Sequence, residues 1–219
     1  MITRVPVGLY AITDSQLTPA ASLIAAVEAA IRGGTVMVQY REKLAPMAER
    51  LAQARNLQSV CAGANVPLLI NDDIGLAKRV GAAGVHLGQT DGSVAQARHL
   101  LGDNAIIGIT CHADLALAEA ATTAGADYLA FGRFFHSSTK PNAPPAKTDI
   151  LAQAKCFGKP ITAIGGITSQ NGEQLIRAGA DLLAVVGGLF KSSLEATEQN
   201  AKTFQRLFAS HHPLYSHSK

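Results

Sequence analysis

Short runs of apolar residues recur along the chain, and within them the apolar positions are successive rather than alternating. This pattern is typical of parallel strands that are buried on both faces. The starts of successive runs lie 17 to 33 residues apart, which leaves room for a helix and two loops and excludes hairpins. We predict eight strands, over Gly8–Thr13, Val36–Tyr40, Leu68–Asn71, Val85–Leu87, Ile106–Thr110, Tyr128–Phe131, Ile161–Ile164 and Leu182–Val186.

The segments between these runs have the apolar spacing of helices, and several end at glycine, as helices often do. A weak internal repeat supports a succession of equivalent βα units, since AGADYLAFG at Ala124–Gly132 is similar to AGADLLAVVG at Ala178–Gly187. We predict helices over Pro19–Arg32, Pro46–Ala62, Ile74–Val80, Ser93–Leu101, Asp114–Ala124, Asn171–Ala178 and Ser192–Ala209.

Eight βα units in one chain predict an α/β fold, a single-domain (β/α)8 TIM barrel over residues 1–219. A doubly wound open sheet with fewer strands is the alternative. The usual nucleotide-binding loops are absent, because no GxGxxG follows the first strand and no GxxxxGK occurs in the chain. We expect a polar C-terminal tail from about residue 210, with histidines that are solvated rather than metal ligands.

Composition excludes several classes of protein. A content of 47% hydrophobic and 16% charged residues excludes a disordered chain. The net charge of +3 is small and unclustered, and no apolar run could span a bilayer, so we expect small-molecule partners rather than nucleic acid or membrane. Three cysteines without paired spacing and an N-terminus without a secretory signal indicate a cytoplasmic protein. A homo-oligomer is compatible with this sequence.

Polar residues cluster where the predicted strands end, which is the active-site end of such a barrel. Gln39, Arg41 and Lys43 alternate along the chain and therefore point inward together, where converging cations need an anionic partner. Asp72 and Asp91 end successive strands, and two carboxylates are typical of Mg²⁺ that is completed by substrate phosphates and water. An exposed salt-bridged strand end is the alternative for the cations, and a helix N-cap is the alternative for Asp72 or for its neighbour Asp73.

Three further features bear on the chemistry. The double glycines Gly165-Gly166 and Gly187-Gly188 predict a phosphate site, with purely structural turns as the alternative. The segment Ser137–Lys140 precedes a Pro-rich stretch and predicts a binding loop or lid. Cys111 beside His112 is predicted to be a core thiol rather than a nucleophile. The residues alone therefore predict a Mg²⁺-dependent transfer between a diphosphate and a phosphate-bearing acceptor.

A resemblance to a known family covers nearly the whole folded chain. The segments GLYAITD, VMVQYREK, LLINDDIGLA, GVHLGQTD, IIGITCH, FGRFFHSSTK, APP and AIGGI, in that order, resemble the thiamine phosphate synthase family. The resemblance implies a transferase that joins 4-amino-5-hydroxymethyl-2-methylpyrimidine diphosphate to hydroxyethylthiazole phosphate, with release of pyrophosphate. It also implies that the diphosphate leaves first and that the thiazole nitrogen captures the resulting pyrimidine-stabilised cation.

The same resemblance implies roles for individual residues. Catalysis would fall to Arg41, Lys43 and Lys140, and Mg²⁺ would bind to Asp72 and Asp91. The pyrimidine diphosphate would contact Gln39, Tyr40, Arg41, Glu42, Lys43, Asn71, Thr110 and Lys140. The thiazole phosphate would contact Ser137, Ser138, Thr139, Gly166, Val186 and Gly187.

The chain departs from the family pattern at three positions. Thr110 and Gly187 each stand where serine is usual, and Thr90 stands where an acidic residue is usual. These departures bear on the thiazole end and on which thiazole isomer is preferred. Two other functions remain open: a thiazole tautomerase-like paralogue, and a non-catalytic barrel that binds thiamine precursors.

Overall fold

The computed structural model describes residues 4–136, 145–190 and 193–214. Eight parallel strands close into a barrel in sequence order, and the first strand pairs with the last. This closure confirms the predicted (β/α)8 barrel, and the open-sheet alternative is wrong. The strands are β1 (Gly8–Ile12), β2 (Thr35–Tyr40), β3 (Leu68–Asn71), β4 (Gly84–Leu87), β5 (Ile106–His112), β6 (Tyr128–Phe131), β7 (Ile161–Ile164) and β8 (Leu182–Val185).

Helices follow the strands along the chain. None of those in the described ranges is long and apolar enough to cross a membrane. The sequence prediction missed α6, which has six residues and continues into a 3-10 turn. The helices are α1 (Leu23–Arg32), α2 (Met47–Gly63), α3 (Ile74–Val80), α4 (Val94–Leu101), α5 (Leu115–Thr123), α6 (Asp149–Ala154), α7 (Gly172–Arg177) and α8 (Leu194–His211).

The strands are apolar at successive positions because each one contributes to two cores. Tyr10, Met37 and Leu69 point into the barrel interior, where they form one buried cluster. Their neighbours Leu9 and Val38 point outward and pack in the larger cluster between sheet and helices. Burial on both faces removes the polar alternation that a half-exposed strand would show.

The AGAD repeat anchors strand starts at the amino-terminal end of the barrel. Asp127 directly precedes β6, donates its backbone N–H to Ile107 O at 2.7 Å, and accepts the Ile107 N–H with its carboxylate at 2.8 Å. Asp181 directly precedes β8 and makes the same pair of contacts with Ile161, both at 2.7 Å. Each aspartate therefore binds its own strand to the neighbouring one, far from the carboxyl ends.

The end of the chain differs from the solvated tail that we expected. Helix α8 continues to His211, and the side chain of His212 is buried with its Nε2 atom 3.1 Å from Asp181 Oδ1. The expectation of solvated histidines is therefore wrong for His212, because the carboxylate that anchors β8 also binds this imidazole. Residues 215–219 of the predicted tail lie outside the described residues.

Candidate active site

A cavity of about 380 Å³ opens at the carboxyl ends of the strands, and side chains from all eight strands contribute to its wall. A more open cavity of about 630 Å³ adjoins it. The two cavities share four residues that were predicted from the strand ends, namely Lys43, Asn71, Asp72 and Asp91. Barrel closure thus brings these residues together around one opening.

The two predicted cations of β2 and its following loop both line the cavity. Arg41 places Nη1 3.8 Å from Asp14 Oδ2, and Lys43 places Nζ 3.0 Å from Asp72 Oδ2. Half of the Lys43 side chain is exposed. Because a guanidinium has five N–H donors and an ammonium three, one carboxylate partner each leaves donors that can bind an anion.

The carboxyl groups of Asp72 and Asp91 lie in contact. Partial burial raises the pKa of Asp91, and the hydrogen bond and negative charge of Asp72 raise it further, whereas the Gly88 N–H and the charge of Lys43 lower it. The Gly88 N–H donates to Asp91 Oδ2 at 2.9 Å. Two carboxylates in contact repel each other when both are ionised, and a divalent cation between them would relieve that repulsion.

This pair of acids provides only part of a metal coordination shell. Within the part of the chain that the structure describes, no group of three or more His, Cys, Asp or Glu side chains could hold a metal ion. A cation held by Asp72 and Asp91 would therefore need further oxygen ligands from substrate and water, as is usual for Mg²⁺ at phosphate-binding sites. The donor set consists of oxygen atoms alone and fits such an ion.

The neighbouring residues Asp72 and Asp73 have different roles. Asp73 caps α3, accepting the Leu76 N–H at 2.8 Å, and also accepts from Arg50 Nη2 at 2.9 Å. Asp72 instead has a left-handed backbone, with φ of 63°, which is uncommon for residues other than glycine. The N-cap alternative is therefore right for Asp73 and wrong for Asp72, whose carboxylate lines the cavity in an unusual local conformation.

Two predicted contacts of the pyrimidine diphosphate have side chains that turn elsewhere. Tyr40 is buried among the outer core residues and its hydroxyl donates to Gln53 on α2 at 2.7 Å, so its ring does not line the cavity. Glu42 accepts two backbone N–H groups of its own loop, at 2.7 and 3.1 Å, and lines only the adjoining open cavity. Both residues alternate with the inward-pointing Gln39 and Arg41, which explains their direction.

A chain of hydrogen bonds between side chains crosses the barrel at the floor of the cavity, and all of its members except Tyr128 line the cavity. Gln39 Nε2 donates to Tyr10 Oη at 2.6 Å, and the hydroxyls of Tyr10 and Tyr128 are 2.9 Å apart. His86 completes the chain, with Nδ1 2.8 Å from Tyr128 Oη and Nε2 2.8 Å from Thr110 Oγ1. Burial raises the pKa of both tyrosines well above the usual value, so both phenols are neutral.

The sequence analysis identified the two ends of this hydrogen-bond chain, Gln39 and Thr110, and missed the three residues between them. Tyr10, Tyr128 and His86 each occupy an inward position of a strand that is otherwise apolar. A polar group at an inward barrel position must find a partner in the interior. A polar residue at an inward position of an apolar strand is therefore the sequence signal that could have identified these three residues.

The glycine-lined wall contains glycines of two kinds. Gly165 and Gly166 have φ of 105° and 63°, and a Cβ on Gly166 would lie 2.3 Å from a backbone carbonyl oxygen. A Cβ on Gly188 would lie 2.0 Å from another carbonyl oxygen. Gly187 is different, because among the described residues a Cβ there would meet only a leucine methyl group, at 3.6 Å. The backbone requires glycine at Gly165, Gly166 and Gly188. Gly187 and its neighbour Val186 also line the cavity.

The remaining residues that the sequence analysis singled out lie either in the hydrophobic core or outside the described part of the structure. Ser137, Ser138, Thr139 and Lys140 lie outside the described residues, so their assignments stay predictions. Cys111 is fully buried, and burial raises the pKa of its thiol to about 12. The prediction of a core thiol is confirmed, since a thiol this basic is protonated and a poor nucleophile.

A family model described as thiamine monophosphate synthase matches residues 9–189, a range that contains all of the cavity features above. The chain belongs to this family. The thiamine-phosphate synthase of Marinobacter nauticus is 65% identical over 212 residues, which cover 97% of this chain and 96% of the relative. That of Saccharophagus degradans is 56% identical over 184 residues, which cover 83% and 85%.

A solved structure agrees with the family membership. The thiamine phosphate pyrophosphorylase from Pyrococcus furiosus is 27% identical to this chain, with a TM-score of 0.83, and the match covers 93% of this chain and 96% of that one. The resemblance that the sequence motifs indicated is therefore confirmed for the thiamine monophosphate synthase family.

Proposed function

We propose that the protein condenses 4-amino-5-hydroxymethyl-2-methylpyrimidine diphosphate with hydroxyethylthiazole phosphate to give thiamine phosphate and pyrophosphate. The observation that carries this proposal is the grouping of two cations, two touching carboxylates and a glycine-lined wall around one barrel cavity. The charged side suits a diphosphate with a divalent cation, and the glycine-lined side suits a monophosphate. The names of the relatives support the same reaction.

The reaction needs charge stabilisation rather than a nucleophilic side chain. The bond between the pyrimidine methylene carbon and the diphosphate oxygen breaks, and its electron pair leaves with the diphosphate. The thiazole nitrogen then donates its lone pair to form the new C–N bond. Arg41 and Lys43 would bind the departing diphosphate and stabilise its negative charge, with Lys140 as a proposed third cation.

We propose that Asp72 and Asp91 hold Mg²⁺, with the amide of Asn71 beside them. Bound there, Mg²⁺ would neutralise charge on the diphosphate. Lys43 already pairs with Asp72, so this lysine can bind the diphosphate and orient the carboxylate together. At the floor of the cavity, Gln39 and Thr110 would orient the pyrimidine ring.

The direct test is formation of thiamine phosphate from both substrates by the purified protein. Product should form with Mg²⁺, stop with a chelator and return when Mg²⁺ is added in excess. Asp91→Asn should raise the Mg²⁺ concentration needed for half-maximal rate. Asp114→Asn removes an acid that caps α5 and lines neither cavity, and it is the matched control. Turnover without metal would contradict the roles of both acids, and absence of product would overturn the proposed reaction.

The two other functions make different predictions in the same assay. A tautomerase-like paralogue would interconvert thiazole phosphate isomers without any pyrimidine substrate, and a precursor-binding barrel would bind substrates without turnover. The contact between Asp72 and Asp91 beside Lys43 favours the synthase, because an isomerase has no diphosphate to bind. The three free cysteines suit a reducing compartment, and a cytoplasmic location is part of this proposal.

A further inference from the structure

The hydrogen-bond chain at the floor of the cavity joins residues from five strands. Its members lie in β1, β2, β4, β5 and β6, and the ring of His86 stacks on that of Tyr128 with centroids 5.6 Å apart. Gly108 makes room for this arrangement, because a Cβ there would lie only 1.9 Å from Tyr128 Cζ. The interior of the barrel is thus shaped around a buried polar chain, where a tightly packed apolar interior would have served stability as well.

The number of available protons determines which partner donates in each bond of this hydrogen-bond chain. A tyrosine hydroxyl has one proton to donate, and a neutral imidazole has one. With the Gln39 amide oriented so that its Nε2 donates to Tyr10, and with His86 neutral, Tyr10 donates to Tyr128 and Tyr128 donates to Nδ1 of His86. The Nε2–H of His86 then donates to Thr110. Every bond receives one proton, and the hydroxyl proton of Thr110 is left for a ligand.

The opposite direction requires one specific change. The amide of Gln39 would have to turn its carbonyl oxygen toward Tyr10, and the proton of His86 would have to move to Nδ1. Gln39 would then present N–H donors to the cavity, and Thr110 would present a lone pair. The tautomer of His86 therefore reports which pattern of donors and acceptors the cavity floor offers.

We propose that Tyr10, Tyr128 and His86 are positioning residues that make Gln39 an acceptor and Thr110 a donor, so that the cavity selects an aminopyrimidine over its oxo counterpart. An aminopyrimidine presents an N–H donor beside a ring nitrogen acceptor, whereas the oxo form presents a carbonyl acceptor beside a ring N–H. The identity of the substrate rests on the proposed function. The direction of donation along the hydrogen bonds, in contrast, is a property of the protein without substrate.

The first experiment determines the His86 tautomer in the unliganded protein. Long-range ¹H–¹⁵N spectra of protein with ¹⁵N-labelled histidine distinguish the two tautomers, and His86→Asn identifies the His86 signals among the seven histidines. We expect a single neutral tautomer with the proton on Nε2. Tyr128→Phe removes the donor to Nδ1 with little change in side-chain volume, and should produce a mixture of tautomers. An Nδ1–H tautomer or a mixture in the wild type would overturn the proposed direction.

The second experiment measures selection between substrates. The ratio of kcat/KM for the diphosphates of the aminopyrimidine and of its oxo analogue should be at least about 100 in the wild type, because a mismatched ligand leaves buried polar groups unpaired. Tyr128→Phe should lower this ratio by about tenfold and leave KM for the thiazole phosphate unchanged. His212→Asn is the matched control, since it removes a buried histidine that binds Asp181 at the other end of the barrel.

The outcomes separate this inference from the proposed function. An unchanged ratio in folded Tyr128→Phe would overturn the selection role even if thiamine phosphate forms normally. A protein that makes no thiamine phosphate would overturn the proposed reaction, and calorimetry would then compare binding of the two diphosphates in wild type and Tyr128→Phe. Equal binding of both by the wild type would overturn selection in that case, and preferential binding of the aminopyrimidine would support it.

Discussion

Replacing Gly187 with serine would add a hydroxyl to the cavity wall, where the family usually has one, without disturbing the backbone. The backbone φ of Gly187 is not positive, so serine can adopt the conformation of this residue. The added Cβ would lie 3.6 Å from Leu17 Cδ1, which is an ordinary van der Waals contact. The substitution should therefore change the chemistry of the site and leave the fold intact.

The expected gain follows from one new hydrogen bond to a phosphate oxygen. A hydrogen bond to a charged group contributes about 1.5–3 kcal/mol net. Since about 1.4 kcal/mol corresponds to a tenfold change in affinity, Gly187→Ser should tighten thiazole phosphate binding by about tenfold or more. The midpoint of thermal unfolding should stay the same or rise slightly, because serine restricts the unfolded chain more than glycine does.

The assay measures KM and Kd for the thiazole phosphate together with thermal unfolding. Gly188→Ser is the matched control, because it places the same side chain at the next residue. There the Cβ would lie 2.0 Å from the carbonyl oxygen of Ile167, so this variant should lose stability. A well-folded Gly187→Ser with unchanged or weaker thiazole phosphate binding would remove Gly187 from the phosphate site and refute the reasoning.

Three other predictions test the remaining groups. Lys140→Ala should lower kcat by about 10²–10³ through loss of charge stabilisation at the leaving group, and a wild-type rate would show that this lysine has no catalytic role. Asp181→Ala should reduce the free energy of unfolding by about 3 kcal/mol in urea titrations, because a buried N–H and a histidine lose their partner; a change below about 1 kcal/mol would contradict the anchoring role. Iodoacetamide at neutral pH should modify exposed Cys156 long before Cys61 and Cys111, since burial raises the pKa of both buried thiols to about 12 and keeps them protonated; equal rates would contradict this assignment.

The barrel itself was predictable because its signals are local. A strand between a filled interior and a layer of helices is apolar at every position, and eight such runs with helix-sized gaps leave few other topologies. Predicted and observed strands differ by at most two residues at either end. Helix α6 escaped prediction although the equally short α7 did not, because a 3-10 turn separates the end of α6 from the next glycine, Gly158, whereas Gly179 follows α7 after a single residue and marks its end.

The candidate site was predictable in part, for the same reason. Gln39, Arg41 and Lys43 share a direction because an extended chain alternates, and Tyr40 and Glu42 turn away from the cavity by that same alternation. The assignment of Tyr40 to the substrate site came from the family resemblance and did not take this two-residue alternation into account. The different roles of Asp72 and Asp73 needed the structure, since only backbone geometry shows which acid caps α3.

Contacts between side chains on opposite sides of the barrel could not be predicted from any local sequence pattern. Tyr10 and Tyr128 are 118 positions apart, and His86 is 42 positions from Tyr128, yet their polar atoms lie within hydrogen-bond distance. The period of a strand determines which side chains face the interior, and that much can be read from neighbouring residues. Which of them meet depends on the stagger and closure of all eight strands, a property of the whole chain that only the tertiary structure decides.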